Sequence, residues 1–231
     1  MLIANINGRR VHARSAKSGD IGICPFTRAE VKAHVGPFRQ YWAYVGGAPA
    51  LPEGYERETP WHYAWKHLIQ DENCEVVFGE NREHRADIVG ANGTIIELQH
   101  SPIDARIADE RSAFYSRTTG ERVVWVIDAY EFADRIILLP PEKGARYGKV
   151  QWKNPRLWAK FIAGDSDTHA FLDPKFVGDC MMKIWRHDGS LYGFELSKRD
   201  FFMKYLSQVA KPEYADFRFN RYEVWKIYDT K

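Results

Sequence analysis

Cysteine is scarce in this chain. Its 231 residues include three, Cys24, Cys74 and Cys180, odd in number and far apart. A disulfide framework is therefore not expected, and a reducing cytoplasm is the expected setting. Long apolar runs are missing too. No stretch approaches the ~18 residues of a membrane span, and the opening MLIANINGRR lacks the build of a signal peptide, so no membrane partner is expected. Charge of one sign is not in excess: 33 Lys and Arg face 31 Asp and Glu, for a net +2, which excludes a polycation. What is present is apolar and aromatic. The hydrophobic content of 45% and aromatic content of 14% point to a globular chain with a sizeable core. At ~150 residues per domain, the length fits one domain with additions or two small ones.

The small net charge hides an uneven distribution. Residues 1–52 hold Arg9, Arg10, Arg14, Lys17, Arg28, Lys32 and Arg39 against Asp20 and Glu30, a net +5, which leaves −3 for the remainder. A basic front suits a polyanion and an acidic body suits cations, although a solvated surface would look the same.

The front, over 1–35, reads as short strands and turns with Gly8, Gly19 and Gly22 as breaks. Gly46-Gly47 and the stretch 48–52 read as a linker, with a boundary near residue 52. A helix follows: Thr59 is a good N-cap, Pro60 suits the first helical position, and Trp61, Ala64, Trp65, Leu68 and Ile69 form one apolar stripe. Strands are expected at 75–78, 85–89 and 94–99. A second helix is expected to open at Ser101-Pro102, with Asp104 in its first turn, and to run to about residue 117, ahead of Gly120. The segment 123–127, Val-Val-Trp-Val-Ile, is apolar on both faces, as a strand covered on both sides would be. The helix between 99 and 123 fits a crossover between parallel strands. A further strand is expected at 136–139, then a mixed C-terminal third with a helix near 198–209.

The most informative stretch is 85–99, Arg-Ala-Asp-Ile-Val-Gly-Ala-Asn-Gly-Thr-Ile-Ile-Glu-Leu-Gln. A two-residue Asn92-Gly93 turn would place Asp87 and Glu97 on opposite faces. A three-residue loop, Ala91-Asn92-Gly93 with Gly93 left-handed, pairs Gly90 with Thr94 and sets Asp87 across from Glu97. The three-residue loop puts Ala86, Ile88, Ile96 and Leu98 on one face and Arg85, Asp87, Val89, Ile95, Glu97 and Gln99 on the other, whereas the two-residue turn mixes carboxylates with Leu and Ile on each face, and burial penalises a one-residue slip. Directly opposed carboxylates repel. They raise a pKa or recruit a cation, for which Mg²⁺ comes first and Mn²⁺ second. Neutralisation by Arg85 or another cation is the alternative.

These residues carry a resemblance. Asp87, a spacer and Glu97-Leu98-Gln99 on the next strand resemble the PD-(D/E)XK nuclease superfamily. The run from Glu58 to Lys66, His84-Arg85-Ala86-Asp87, Glu97-Leu98-Gln99-His100-Ser101, Arg111 with Tyr115, and the strand at 123 are similar, in that order, to the competence protein CoiA-like nucleases. The match covers about residues 55–130. It implies a restriction-endonuclease-like α/β core, a mixed sheet flanked by helices, over 53–145. A basic β-rich region would lie at 1–52 and an α+β extension at 146–231. It also implies a Mg²⁺- or Mn²⁺-dependent nuclease acting on DNA before RNA. Asp87 and Glu97 would hold the cation with the backbone carbonyl near Leu98. Gln99 stands where lysine is usual, so it orients water without supplying charge, and Lys66 or Arg111 would replace the charge.

Other candidates have two readings each. Arg111 falls within the apolar stripe of Ile103, Ile107 and Phe114, so it needs a partner: the acidic face, a scissile phosphate or a structural ion pair. Tyr115 belongs to the core or to the site. His62 completes the metal shell, relays a proton or lies at the surface. Glu58 ligates metal or favours the helix N-terminus. Lys66, Arg85, Arg111 and Tyr115 are the candidate nucleic-acid contacts. Family members often carry a cysteine/histidine finger first. Here Cys24 survives, Thr27 replaces a second cysteine, and Tyr41-Trp42-Ala43-Tyr44 replaces the histidine segment, so no zinc is expected. A catalytically inactive nucleic-acid-binding protein of the same fold is the competing expectation, and a homodimer is left open.

Overall fold

A computed structural model describes residues 1–37, 39–50, 55, 58–165, 167–174 and 179–215. The chain is mixed α/β and forms two compact units, Met1–Val89 with the chain from Val209, and Gly90–Gln208. Among the described residues, no helix is long and apolar enough to cross a membrane.

The first unit opens with an antiparallel sheet of order β2-β1-β3-β4-β5, made of β1 (Ile3–Ile6), β2 (Arg9–His12), β3 (Ile21–Ile23), β4 (Glu30–Val35) and β5 (Gln40–Tyr44). Asn7 and Gly8, both at positive φ, make the tight turn between β1 and β2. Gly22 is not a break as expected: it lies inside β3, where a Cβ would come within 3.1 Å of Ala4 Cβ and Asn5 O. Ala4, Cys24, Phe26, Val31, Ala33 and Trp42 form the core of this sheet. Cys24, Thr27 and Tyr44 are brought together there. Thr27 N donates to Cys24 Sγ at 3.4 Å, and Tyr44 OH lies 3.5 Å from both Cys24 Sγ and Thr27 Oγ1. Burial pushes the Tyr44 hydroxyl up to about 12. Helix α1 (Pro60–His67) follows, then the antiparallel pair β6 (Cys74–Phe78) and β7 (His84–Val89). Part of the expected linker, Leu51 and Pro52, lies outside the described residues.

The second unit holds β8 (Ile95–Gln99), α2 (Ala105–Thr119), β9 (Val123–Asp128), β10 (Ile136–Leu138), β11 (Gly148–Trp152), α3 (Leu157–Ile162), β12 (Thr168–Asp173), β13 (Cys180–His187), β14 (Ser190–Ser197) and α4 (Lys198–Tyr205). Their order across the sheet is β10-β11-β14-β13-β12-β9-β8. β8 and β12 run parallel to β9 on either side of it, so the helix between β8 and β9 is the expected crossover. β9 is central and Val123 to Ile127 are all buried, which explains its apolarity on both faces. The remaining strands are antiparallel, and Asp188-Gly189, both at positive φ, close the β13–β14 hairpin.

Two helix boundaries differ from expectation. Helix α2 starts at Ala105, not at Ser101-Pro102, because the Asp104 carboxylate accepts from Arg106 N at 2.8 Å and is the N-cap. It ends at Gly120, left-handed at φ 76. Helix α4 stops at Tyr205, and a separate 3-10 turn takes 207–209.

Gly148 marks the closest approach within the second unit, since a Cβ there would sit 2.0 Å from the Leu139 carbonyl oxygen. Backbone cannot yield as a side chain can. Gly148→Ala is therefore expected to destabilise the protein by about 1–3 kcal/mol in urea unfolding, and an unchanged midpoint would contradict this packing.

Candidate functional site

In the first unit, α1 begins where the sequence places it. Thr59 Oγ1 accepts from His62 N, and Thr59 N donates to His62 Nδ1 at 3.1 Å, a reciprocal cap. His62 is thereby buried in the first turn of the helix. One turn on, the helix buries Lys66, whose side chain has no exposed surface. An ammonium there requires carboxylates, and three surround it. Lys66 Nζ lies 2.5 Å from Glu58 Oε1, 2.7 Å from Asp87 Oδ1 and 3.7 Å from Glu75 Oε1. The Arg85 guanidinium lies 4.0 Å from Glu58 Oε1 and about 6 Å from the centroids of the Phe26 and Tyr55 rings. Glu75 also accepts from Leu2 N at 2.9 Å and Ile3 N at 3.2 Å, which ties the first strand to the network.

Burial alone would strip these charges, and the partners reverse its effect. Desolvation raises the Glu58 carboxyl, but Lys66, the N-terminal amine, His62 and Arg85 together outweigh it and hold the group well below its ordinary range. Desolvation lowers Lys66, and Asp87, Glu58 and Glu75 together push it well above the ordinary lysine value. Arg85 is likewise raised, chiefly by Glu75 and Glu58 against its desolvation. Glu58, Lys66 and Arg85 are thus each favoured in their charged forms. The network holds three acids and two bases, and Asp87 is its most exposed carboxylate, with 14% of its side chain accessible.

In the second unit, the turn ahead of β8 is the three-residue loop. Gly90 N donates to Thr94 O at 2.8 Å, with Asn92 at φ 55 and Gly93 at φ 78. Every residue of β8 is buried, so the polar row is covered as fully as the apolar one. Arg111, from the apolar stripe of α2, meets Glu97 in an ion pair and lies over the Trp125 ring, 5.3 Å from its centroid. Trp125 Nε1 donates to Ser112 Oγ at 3.0 Å, which braces the ring beneath the guanidinium. Gln99 Nε2 donates to Ser101 O at 2.7 Å. Tyr115 is fully buried against Phe114.

The predicted residues therefore fall into two groups. Glu58, Lys66, Arg85 and Asp87 converge in the first unit, with His62 on the same helix, while Glu97 and Arg111 converge in the second. The four candidate nucleic-acid contacts, Lys66, Arg85, Arg111 and Tyr115, are all buried. Sequence reading missed Glu75, whose signal was an acid in an otherwise apolar strand. It also missed His100, whose Nδ1 meets Asp128 Oδ2 at 2.8 Å, and the Asp173–Lys198 pair at 2.8 Å.

Among the described residues, no group of three or more His, Cys, Asp or Glu side chains is gathered as a metal-binding cluster. The chemistry of the donors nevertheless fits a hard cation: they are carboxylate oxygens, and Glu58 Oε2 is buried without a hydrogen-bond partner. No protein-family model, curated protein or solved structure matches the chain.

Lys66→Met removes the charge at nearly constant length and strands its carboxylates, so a loss of about 3–5 kcal/mol is expected. The pH dependence follows from Glu58. Its folded pKa lies below the ordinary 4.5, so the stability it contributes is complete above that value and is lost as pH falls through the folded pKa. Denaturant titrations between about pH 6 and 3 should show stability falling in the wild type and a flattened or reversed trend in Lys66→Met. Parallel curves would refute the network.

Proposed function

We propose that the chain is a metal-dependent nuclease with a restriction-endonuclease-like core, hydrolysing phosphodiester bonds in nucleic acid, DNA before RNA. The observation that supports this reading most is the loop from Gly90 to Thr94. Its closing bond, Gly90 N to Thr94 O, is the one a three-residue loop requires, the loop for which the sequence pattern expects the two carboxylates to be opposed. Under this reading Asp87, Glu97 and the carbonyl at Leu98 hold Mg²⁺ or Mn²⁺. When bound, the cation supplies Lewis-acid polarisation of a phosphoryl oxygen and acidifies a water.

The protein's own groups have distinct tasks. Lys66 holds Asp87 in place, and Arg111 holds Glu97. Gln99, oriented by the Ser101 carbonyl, positions the attacking water. Glu58 fixes the Lys66 ammonium, and Arg85 adds positive charge behind it.

A second reading is a nucleic-acid-binding protein that keeps the fold without catalysis. It is favoured by the pairing of both carboxylates with buried bases and by glutamine in place of lysine at 99. Incubation of the purified chain with linear, circular and single-stranded DNA in Mg²⁺ or Mn²⁺ separates the two. The enzyme reading expects cleavage that EDTA stops and that falls by roughly a hundredfold or more in Asp87→Ala and in Glu97→Ala. DNA binding without cleavage in either metal supports the second reading.

A further inference from the structure

The outer face of the β11–β14–β13 sheet carries an aromatic cluster that the nuclease reading does not use. In the register, Lys149 stands beside Tyr192 and Tyr192 beside Trp185, a row of one cation and two rings across three strands. Their sequence neighbours Val150, Ile184 and Leu191 point to the opposite face and are buried. The Trp185 and Tyr192 rings are nearly parallel, 22° apart with centroids at 6.3 Å. Tyr147 stands edge-on to both, at 5.2 and 5.8 Å, and is 47% exposed. These side chains, with Lys149, His187 and the Leu139–Pro140 backbone, line a concavity of about 310 Å³.

Large aromatic side chains normally go to the core, and a cluster of them left around an open cavity marks a binding site. By contrast, the aromatics beneath α4 are covered: that helix packs Phe201 and Tyr205 against Phe171 of β12. The cavity suits a flat ring system of nucleobase size. The charge beside it selects the class of ligand. The approach to Tyr147 carries exposed Lys143 and Arg146, and Lys149 follows, against Glu142 alone. Stacking rings flanked by cations match bases joined by phosphates.

We propose that this face binds single-stranded nucleic acid, stacking a base on the Trp185–Tyr192–Tyr147 cluster with Lys149 and the 143–146 segment at the backbone. The proposal names the strand form taken by the proposed nuclease and rests on that reading for its biological sense. Its test does not depend on cleavage. Full-length protein in EDTA is titrated with a fluorescein-labelled oligothymidylate of about a dozen nucleotides, followed by anisotropy and by quenching of tryptophan fluorescence. Tyr192→Ala and Tyr147→Ala should each weaken binding about tenfold. Lys149→Ala should weaken it less and flatten its salt dependence. The exposed Tyr147 provides a variant with little risk to folding. Equal affinity of wild type and Tyr147→Ala, a preference for duplex over single strand, or quenching by a neutral oligosaccharide but not by the oligonucleotide would each overturn the proposal. If no metal supports cleavage while the aromatic variants still lose binding, the enzyme reading fails and the stacking face stands.

Discussion

The arrangement of the first unit depends on one buried ammonium. Lys66 has no exposed side-chain surface, and the desolvation of an isolated cation costs many kcal/mol. The chain meets that cost by convergence. It draws Glu58 from the entry to α1, Glu75 from β6 and Asp87 from β7. Three acids around one ammonium carry excess negative charge, which brings Arg85 inward. Glu75 spends its remaining acceptor capacity on the amides of Leu2 and Ile3. Its backbone takes φ 52, a left-handed geometry uncommon for a residue with a side chain. Remove the ammonium and the reason for each of these placements disappears.

The same constraint governs what the candidate site can do. A carboxylate beside a buried base stays ionised at any pH the cell meets, which is what a hard cation requires of its ligands. The base also competes with the cation for the same oxygens. Glu97 and Arg111 present this balance in the second unit, where the guanidinium over Trp125 is already stabilised by the ring. Under the proposed reading, a divalent ion must gain more from the carboxylates than the bases lose.

Local chemistry was legible in the sequence wherever one turn or one face decided the outcome. Thr59-Pro60 predicts the start of α1, the apolar run at 123–127 predicts a central strand, and the face pattern of 85–99 selects the three-residue loop over the Asn92-Gly93 turn. Competition between local signals was harder to read. Ser101 and Asp104 both suit an N-cap, and Asp104 wins because its carboxylate reaches Arg106 N. Glycine was read as a break at Gly22, where it instead admits a neighbouring strand. Long-range pairing left no local trace. Lys66 and Asp87 are 21 positions apart, and Tyr147, Trp185 and Tyr192 are assembled by strand order alone. Periodicity places Lys66 beside or opposite the apolar stripe, yet the carboxylates bury it.

Buried ion pairs are a poor way to gain stability. Replacing one with apolar groups of similar volume is often neutral or stabilising, whereas removing one partner is costly. A chain under pressure for stability alone would be expected to fill the buried Lys66 and Arg111 positions with apolar side chains. It builds instead a cluster of three acids and two bases in one unit and a Glu–Arg pair in the other. Lys66 and Arg111 each sit on an element whose local geometry is set independently, a capped helix and a crossover helix ended by glycine. Rigid supports hold charges where solvent does not screen them, which is the physical condition for a site that acts on another charged molecule.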